Sequence, residues 1–268
     1  MNSPFRLAAS SYLNSAPLIW SFLHGSHCAS VDFVEAVPAR CAQLLADSAV
    51  EGALIPVIEY QRIPNGSLVP NVCVGSRKEV LSVVLVSRDK QLEQINSVAL
   101  DESSRTSATL VKVIFREFLD REPQWTTRAP DIEEMLEKND AALIIGDPGM
   151  GFRRRGLNVW DMAGLWKQYT GLGFVFAMWM VREAAVNHAR MVDFSSARDE
   201  GLAHLEEIVA SYEDRIPMPV SELRNYLTGN IVFNVDNSME KGLRLYFELA
   251  FKHKLIDSVR ELRFISHR

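Results

Sequence analysis

Within the six positions from Ser10 to Ser15 the chain sets five hydrogen-bonding side chains, Ser10, Ser11, Tyr12, Asn14 and Ser15. Hydroxyls, a phenol and an amide donate and accept hydrogen bonds, and none is a strong base. Such a set can orient a substrate or stabilise developing charge, but an amide does not remove a proton unaided. A second polar run, Ser103-Ser104-Arg105-Thr106-Ser107, puts hydroxyls beside a guanidinium. At a helix start its free backbone N–H groups would attract an anion, and a carboxylate is a natural guest. The plainer readings are a turn rich in Ser and Asn for backbone reasons and a Ser/Thr N-cap with an incidental Arg.

Other residues carry less. Glu59 and Tyr60 follow an apolar run and could face a cleft; the competing reading is a solvated carboxylate beside a packed Tyr. Arg77 and Lys78 suit a solvated charge pair. Gly146 to Gly151, Gly-Asp-Pro-Gly-Met-Gly, lacks the Lys-Ser/Thr ending and the spacing of the nucleotide fingerprints, and is discounted as a phosphate loop. Arg153-Arg154-Arg155 reads as an exposed charge run, and His24 and His27 have no acidic or Cys partner nearby for a metal. Phe174, Phe176 and Trp179 form an aromatic strand that packs in a core or walls a pocket for a flat ring. There is no Gly-x-Ser-x-Gly elbow and no catalytic cysteine signature.

The elements that must hold these groups follow from pattern. Phe5 to Ala9 is long enough for one buried strand, and Pro17 sits where a helix can begin, since its missing N–H costs nothing there. The polar Ser10–Ser15 stretch therefore falls at a strand-to-helix turn, where open α/β sheets bind ligands. Val31 to Val37 reads as a strand, Pro38 to Ala46 as a helix, and Gly52 to Ile58 as a buried strand whose pairing Pro56 ends. Ile63 to Gly75 reads as irregular, and Ser82 to Ser87 as a β-branched strand.

The pattern restarts at Ser97: a strand to Leu100, a polar turn, and a helix over Ala108 to Leu119. Trp125 to Ala129, Ala141 to Ile145 and Phe174 to Val181 read as further strands, with a helix over Asp131 to Lys138 and a loop or short helix over Gly164 to Gly173. From Asn187 the chain is mainly helical, and Asn237 with Glu240 resembles a capping box that opens a helix to Phe251. Two strand–turn–helix units with a helical tail predict a two-lobed α/β protein with parallel sheets and a ligand cleft between the lobes.

Composition narrows the class. The chain has 268 residues, 47% hydrophobic and 24% charged, enough for a full core. Its 29 Lys and Arg against 34 Asp and Glu give a net charge of −5, which argues against nucleic acid as a partner. The three cysteines, Cys28, Cys41 and Cys73, show neither metal-knuckle nor redox-pair spacing and are expected to be reduced. No apolar run approaches a membrane span, and no secretory signal is expected, so the predicted setting is cytoplasmic. No cluster suggests a metal or organic cofactor.

Six stretches, in order, resemble one family. Ser11-Tyr-Leu-Asn-Ser-Ala-Pro-Leu18, Ala53-Leu-Ile-Pro-Val-Ile-Glu-Tyr60, Ser82-Val-Val-Leu-Val-Ser87, Val98-Ala-Leu-Asp-Glu-Ser-Ser-Arg-Thr-Ser107, Ala141-Ala-Leu-Ile-Ile-Gly-Asp147 and Trp166 through Thr170-Gly-Leu-Gly-Phe-Val-Phe-Ala-Met-Trp179 resemble those of chorismate dehydratases, which open the futalosine route to menaquinone. Gly173, where Pro is usual, and Gly149-Met150, where Ala-Leu is usual, depart from the pattern beside the motifs.

The resemblance implies a periplasmic-binding-protein-like fold of the second type. Lobe 1 would hold residues 1–87 and 182–268, and lobe 2 residues 88–181, with crossings near Ser87 and Val181. It implies chorismate as the small-molecule substrate, 3-[(1-carboxyvinyl)oxy]benzoate and water as products, and neither nucleic acid nor membrane as partner. Asn14 is then the expected catalytic residue, and the enolpyruvyl carboxylate of the substrate itself the expected base; Glu59 is the alternative base. Ser10, Ser11, Tyr12, Ser15, Ser82 and Ser103 through Ser107 would bind substrate, with Arg105 held more loosely. The alternative function is a cytosolic solute-binding module for a small carboxylate, without catalysis.

Overall fold

The computed structural model describes residues 4–266. Four strands come first: β1 (Phe5–Ala9), β2 (Val31–Glu35), β3 (Gly52–Pro56) and β4 (Gly66–Ser76). Five follow in a second sheet: β5 (Val83–Ser87), β6 (Ser97–Asp101), β7 (Gln124–Arg128), β8 (Ala141–Ile145) and β9 (Asn158–Asp161). The chain then returns in β10 (Phe174–Arg182). The sheets are ordered β2-β1-β3-β10-β4 and β7-β6-β8-β5-β9. Each therefore has a parallel trio, joined by one antiparallel strand to an outer strand. The two sheets share one topology, and both are mixed rather than purely parallel.

The crossings expected near Ser87 and Val181 each lie one strand away from those the sheets define. β5 pairs with β8 and β9, so it belongs to lobe 2, and β10 pairs with β3 and β4, so it belongs to lobe 1. A strand that carries the chain across pairs where it arrives, so the sheets change between Ser76 and Val83 and again just before Phe174. At the first crossing Leu81 has φ 60°, and Asp161 accepts the Val80 and Leu81 backbone N–H groups at 3.0 and 2.7 Å.

Local chemistry explains the helices that flank the cleft. In lobe 1, α1 (Ala16–Leu23) and α2 (Pro38–Ala46) both carry a proline in the first turn, Pro17 and Pro38. In lobe 2, α3 (Thr106–Val113) runs on into a π-helical turn over Ile114–Phe118. α4 (Ile132–Lys138) is capped by Asp131, which accepts from the Glu133 and Glu134 amides. α5 (Gly146–Gly151) and α6 (Met162–Thr170) complete that lobe. The tail adds α7 (Val186–Ala189), α8 (Phe194–Ala203), α9 (Leu205–Tyr212), α10 (Val220–Asn225) and α11 (Asn237–Lys252). The cap of α11 is Asp236, which accepts the Met239 amide at 2.9 Å, one residue before the expected Asn237.

One apolar core runs through both lobes and includes Leu7, Ile55, Leu85, Phe115, Trp166 and Met178. A smaller one, with Val84, Val86, Ala99, Met135 and Ile144, lies under α4 on the outer face of the second sheet. The segment expected to be irregular contains β4, which is eleven residues long. Pro70 is tolerated there because β4 is an edge strand, and Asn71 at φ 56° marks the irregular register beside it.

Candidate active site

Four carboxyl strand ends meet at one cavity. From lobe 1 come Ser10, Tyr12, Asn14 and Ser15 after β1, Pro38 at the start of α2, and Pro56 at the end of β3. From lobe 2 come Ser103 through Ser107 after β6, and Ile145 and Gly146 at the end of β8. Phe176 and Ala177 of β10, Val74, Val80, Val83 and Leu54 complete the wall. The cavity has about 580 Å³ of atom-free space, part of it open to solvent.

The Ser10–Ser15 turn is tied together from within. Ser15 Oγ lies 3.1 Å from Ser10 Oγ and donates to Asn14 Oδ1 at 3.1 Å, while the Ser15 backbone N–H donates to Tyr12 O at 2.9 Å. It is also gripped from outside. The Tyr212 hydroxyl donates to Ser11 O at 2.5 Å, and the Leu13 N–H donates to Asp147 Oδ1 at 2.8 Å. The Tyr12 ring lies over Gly146, whose φ is 68°; a Cβ there would sit 2.6 Å from the ring. Glycine is thus required twice, by conformation and by space.

Opposite, Asp101 organises the helix start. It is 1% exposed and accepts from Ser103 N (2.9 Å), Ser103 Oγ (2.6 Å) and Ile145 N (3.3 Å). Burial raises its pKa, an effect the Ser103 bonds oppose. Ser104 Oγ takes the Ala108 amide at 3.2 Å, which leaves the Thr106 and Ser107 amides as helix-start donors at the cavity wall. Thr106 also joins the lobes: its Oγ1 accepts the Ile58 N–H at 3.3 Å, and its carbonyl accepts the Tyr246 hydroxyl at 2.9 Å. Arg105 is exposed at the cavity rim.

Several candidate residues stand elsewhere. Ser11 bonds Glu35 and faces an outer groove with Asp147, Pro148 and Arg215. Ser82 is fully buried and accepts the Tyr226 hydroxyl at 2.7 Å. Glu59 is paired to Arg62 Nη1 at 2.6 Å and does not line the cavity. Among the aromatic candidates only Phe176 lines the cavity; Phe174 packs behind it on Trp166 and Tyr246, and Trp179 on Phe22 and Phe194.

Three residues around the turns escape sequence reasoning: Asp101, Asp147 and Tyr226. Burial pushes the Asp147 carboxyl up to about 6, against the opposing effects of the Leu13 amide and Arg215. Burial likewise raises the phenols of Tyr12, whose hydroxyl lies by Ser103, and of Tyr226, whose hydroxyl lies by Ser82 and Asn14. The signal for both aspartates is a carboxylate at the end of a mainly apolar strand, two residues past the end of β8 for Asp147 and at the last residue of β6 for Asp101. Among the described residues lining the cavity there is no carboxylate, histidine or cysteine. Among the described residues no group of three or more His, Cys, Asp or Glu could hold a metal ion, and no helix is long and apolar enough to cross a membrane.

Two α/β lobes of one topology, with a polar cleft at their facing strand ends, define the periplasmic-binding-protein-like fold. A solved Archaeoglobus fulgidus protein superposes with TM-score 0.75 at 15% identity, covering 94% of this chain and 98% of its own. The periplasmic aliphatic sulphonate binding protein of Escherichia coli superposes with TM-score 0.64 at 13% identity, covering 100% of this chain and 95% of its own.

Sequence comparison narrows the class. The chain belongs to the menaquinone biosynthesis family, whose model matches residues 5–252. It is 28% identical to the chorismate dehydratase of Thermus thermophilus, over 91% of this chain and 94% of that one. It is 24% identical to the chorismate dehydratase of Campylobacter jejuni, over 88% of each.

Proposed function

We propose that this protein is a chorismate dehydratase, a hydro-lyase that converts chorismate to 3-[(1-carboxyvinyl)oxy]benzoate and water in menaquinone biosynthesis. Supporting this are the family, the two relatives so named and the cavity's chemistry. Chorismate carries two carboxylates. The Thr106 and Ser107 amides, the Ser104 and Ser107 hydroxyls and, at the rim, Arg105 offer one of them donors and positive potential. The ring then lies toward Asn14, Ser10 and Ser15, with Phe176 as an apolar wall.

The observation that carries the mechanism is the cavity lining, which holds no carboxylate, histidine or cysteine. The proton on the ether-bearing ring carbon therefore goes to the substrate's own enolpyruvyl carboxylate. The C–H electron pair forms the new ring double bond as the C–O bond of the ring hydroxyl breaks. The departing hydroxide takes up the proton and leaves as water, and the ring becomes aromatic. Asn14 holds the reacting groups in register and hydrogen-bonds the departing hydroxyl, with Ser15 fixing its amide. Glu59 is paired to Arg62 and does not line the cavity, which favours the substrate's own carboxylate as the base.

A cytoplasmic location fits the three free thiols, Cys28, Cys41 and Cys73. The test is incubation of purified protein with chorismate in buffer containing chelator, with products separated by chromatography. Appearance of 3-[(1-carboxyvinyl)oxy]benzoate is expected. Chorismate that survives unchanged while raising the thermal midpoint would make the protein a binding module instead.

A further inference from the structure

One half-buried carboxylate, on lobe 2, takes no part in the mechanism above yet contacts the turn that does. Asp147 is the second residue of α5, which follows β8 without a break. Its Oδ1 accepts the backbone N–H of Leu13, the residue before Asn14, at 2.8 Å. That bond spans the cleft, since Leu13 lies between β1 and α1 of lobe 1. The neighbouring contact points the same way: the Tyr12 ring of lobe 1 rests on Gly146 of lobe 2. On the lobe 1 side Tyr212 holds Ser11 O, and Arg215 stacks on the Tyr212 ring at 4.6 Å while attracting Asp147. The turn therefore meets lobe 2 at two adjacent residues, the Leu13 amide on Asp147 and the Tyr12 ring on Gly146, and again where the Tyr12 hydroxyl lies by Ser103.

We infer that Asp147 is a positioning residue for catalysis: by accepting the Leu13 amide across the cleft it sets the Asn14 turn, so that the catalytic amide is in place only when the lobes have closed. The inference rests on the chorismate dehydratase reading and deepens it. A burial cost borne by a carboxylate is tolerated where its hydrogen bond fixes a geometry that matters. An amide at the same place can still accept the Leu13 N–H through its oxygen, whereas a methyl group cannot. This separates an acceptor that positions the turn from a charge or proton that takes part in chemistry.

The experiment compares wild type, Asp147→Asn and Asp147→Ala in three readouts: kcat and KM for chorismate, thermal midpoint, and hydrogen exchange of the Leu13 amide in the substrate-free protein. Asp147→Ala should lower kcat by about thirtyfold or more with KM within about threefold, and exchange Leu13 about tenfold faster. Asp147→Asn should keep kcat within about threefold and keep Leu13 protected. Unchanged kcat in Asp147→Ala overturns the inference. So does an Asp147→Asn variant that loses kcat while its midpoint and Leu13 protection stay native, because the charge would then be what matters. If Asp147→Ala fails to fold, Asp147→Asn decides alone. If wild type turns over no chorismate, the functional reading has failed, and Leu13 exchange still reports whether Asp147 holds the turn.

Discussion

Asn14 and Glu59 were the two residues that sequence reasoning could offer for catalysis, and their surroundings differ. Asn14 lines the cavity and its oxygen accepts from Ser15; Glu59 spends its carboxylate on Arg62. Replacing Asn14 by Ala should cut kcat by about 10²–10³, the cost of losing one aimed donor. Chorismate should still raise the thermal midpoint of that variant, since the helix-start donors remain. Glu59→Gln should leave kcat within about threefold and weaken stability by no more than about 1 kcal/mol, as for a partly exposed ion pair. Steady-state kinetics on the two variants separate a substrate-borne base from a protein one: a collapse of kcat in Glu59→Gln would reverse the assignment. Why Asp101, Asp147 and Tyr226 were not legible is physical. Asp147 acts on Leu13, 134 residues away, Tyr226 on Ser82, 144 residues away, and Asp101 adds the Ile145 amide, 44 residues on, to its local Ser103 bonds. A sequence displays side-chain types in order but not which backbone donors a fold will leave needing an acceptor.

At the scale of elements, period and punctuation were informative where a strand is buried on both faces. β1, β3 and β8 read as continuous apolar runs and are buried along nearly all their length. β4 was not legible, because Pro70 and Gly75 speak against a strand, and only its position at the sheet edge makes them acceptable. β9 was missed because its four residues, Asn158–Asp161, are half-buried with no alternation to detect. The lobe crossings were misplaced by one strand each because pairing partners, not strand patterns, decide which sheet a strand joins. Gly146 shows how an element's end can be fixed by a neighbour from the other lobe. Gly146→Ala forces a side chain into φ 68° and against the Tyr12 ring, at a cost on the order of 1–3 kcal/mol. It should lower the thermal midpoint by several degrees and reduce turnover by displacing Tyr12. Gly229→Ala, where an added Cβ meets nothing within 4 Å, should do neither, and calorimetry with parallel assays distinguishes them.

For the whole molecule, the closed arrangement brings titratable groups into unlike surroundings, and stability should follow pH accordingly. The Asp147 carboxyl sits at about 6 in the folded protein because burial disfavours its charge, against an ordinary value of 3.8. Between those values the folded chain holds a proton that the unfolded chain has released. Stability due to this group therefore increases as pH falls from 7 toward 4, and is lost as pH rises through about 6. Other carboxylates work in the opposite sense. Glu117 is held below its usual range by Lys252 and then His253, Glu122 by Arg116, and Glu206 by Arg224. Their stabilisation is present above an ordinary 4.5 and disappears as pH drops through their lowered values. The two windows barely overlap, so the Asp147 effect can be isolated by difference. The midpoint of wild type minus that of Asp147→Asn, measured from pH 7.5 to pH 4.5, should become more positive as acid is added, with its steepest change between the raised Asp147 value and the ordinary one. The amide keeps the Leu13 bond but cannot titrate, so the difference reports the carboxyl alone. A flat difference would mean that Asp147 is solvated in the protein's resting state, and hence that the cleft stands open without substrate. A sloping one would mean that the lobes are already closed over the Asn14 turn before chorismate arrives, with the substrate gaining access by transient opening.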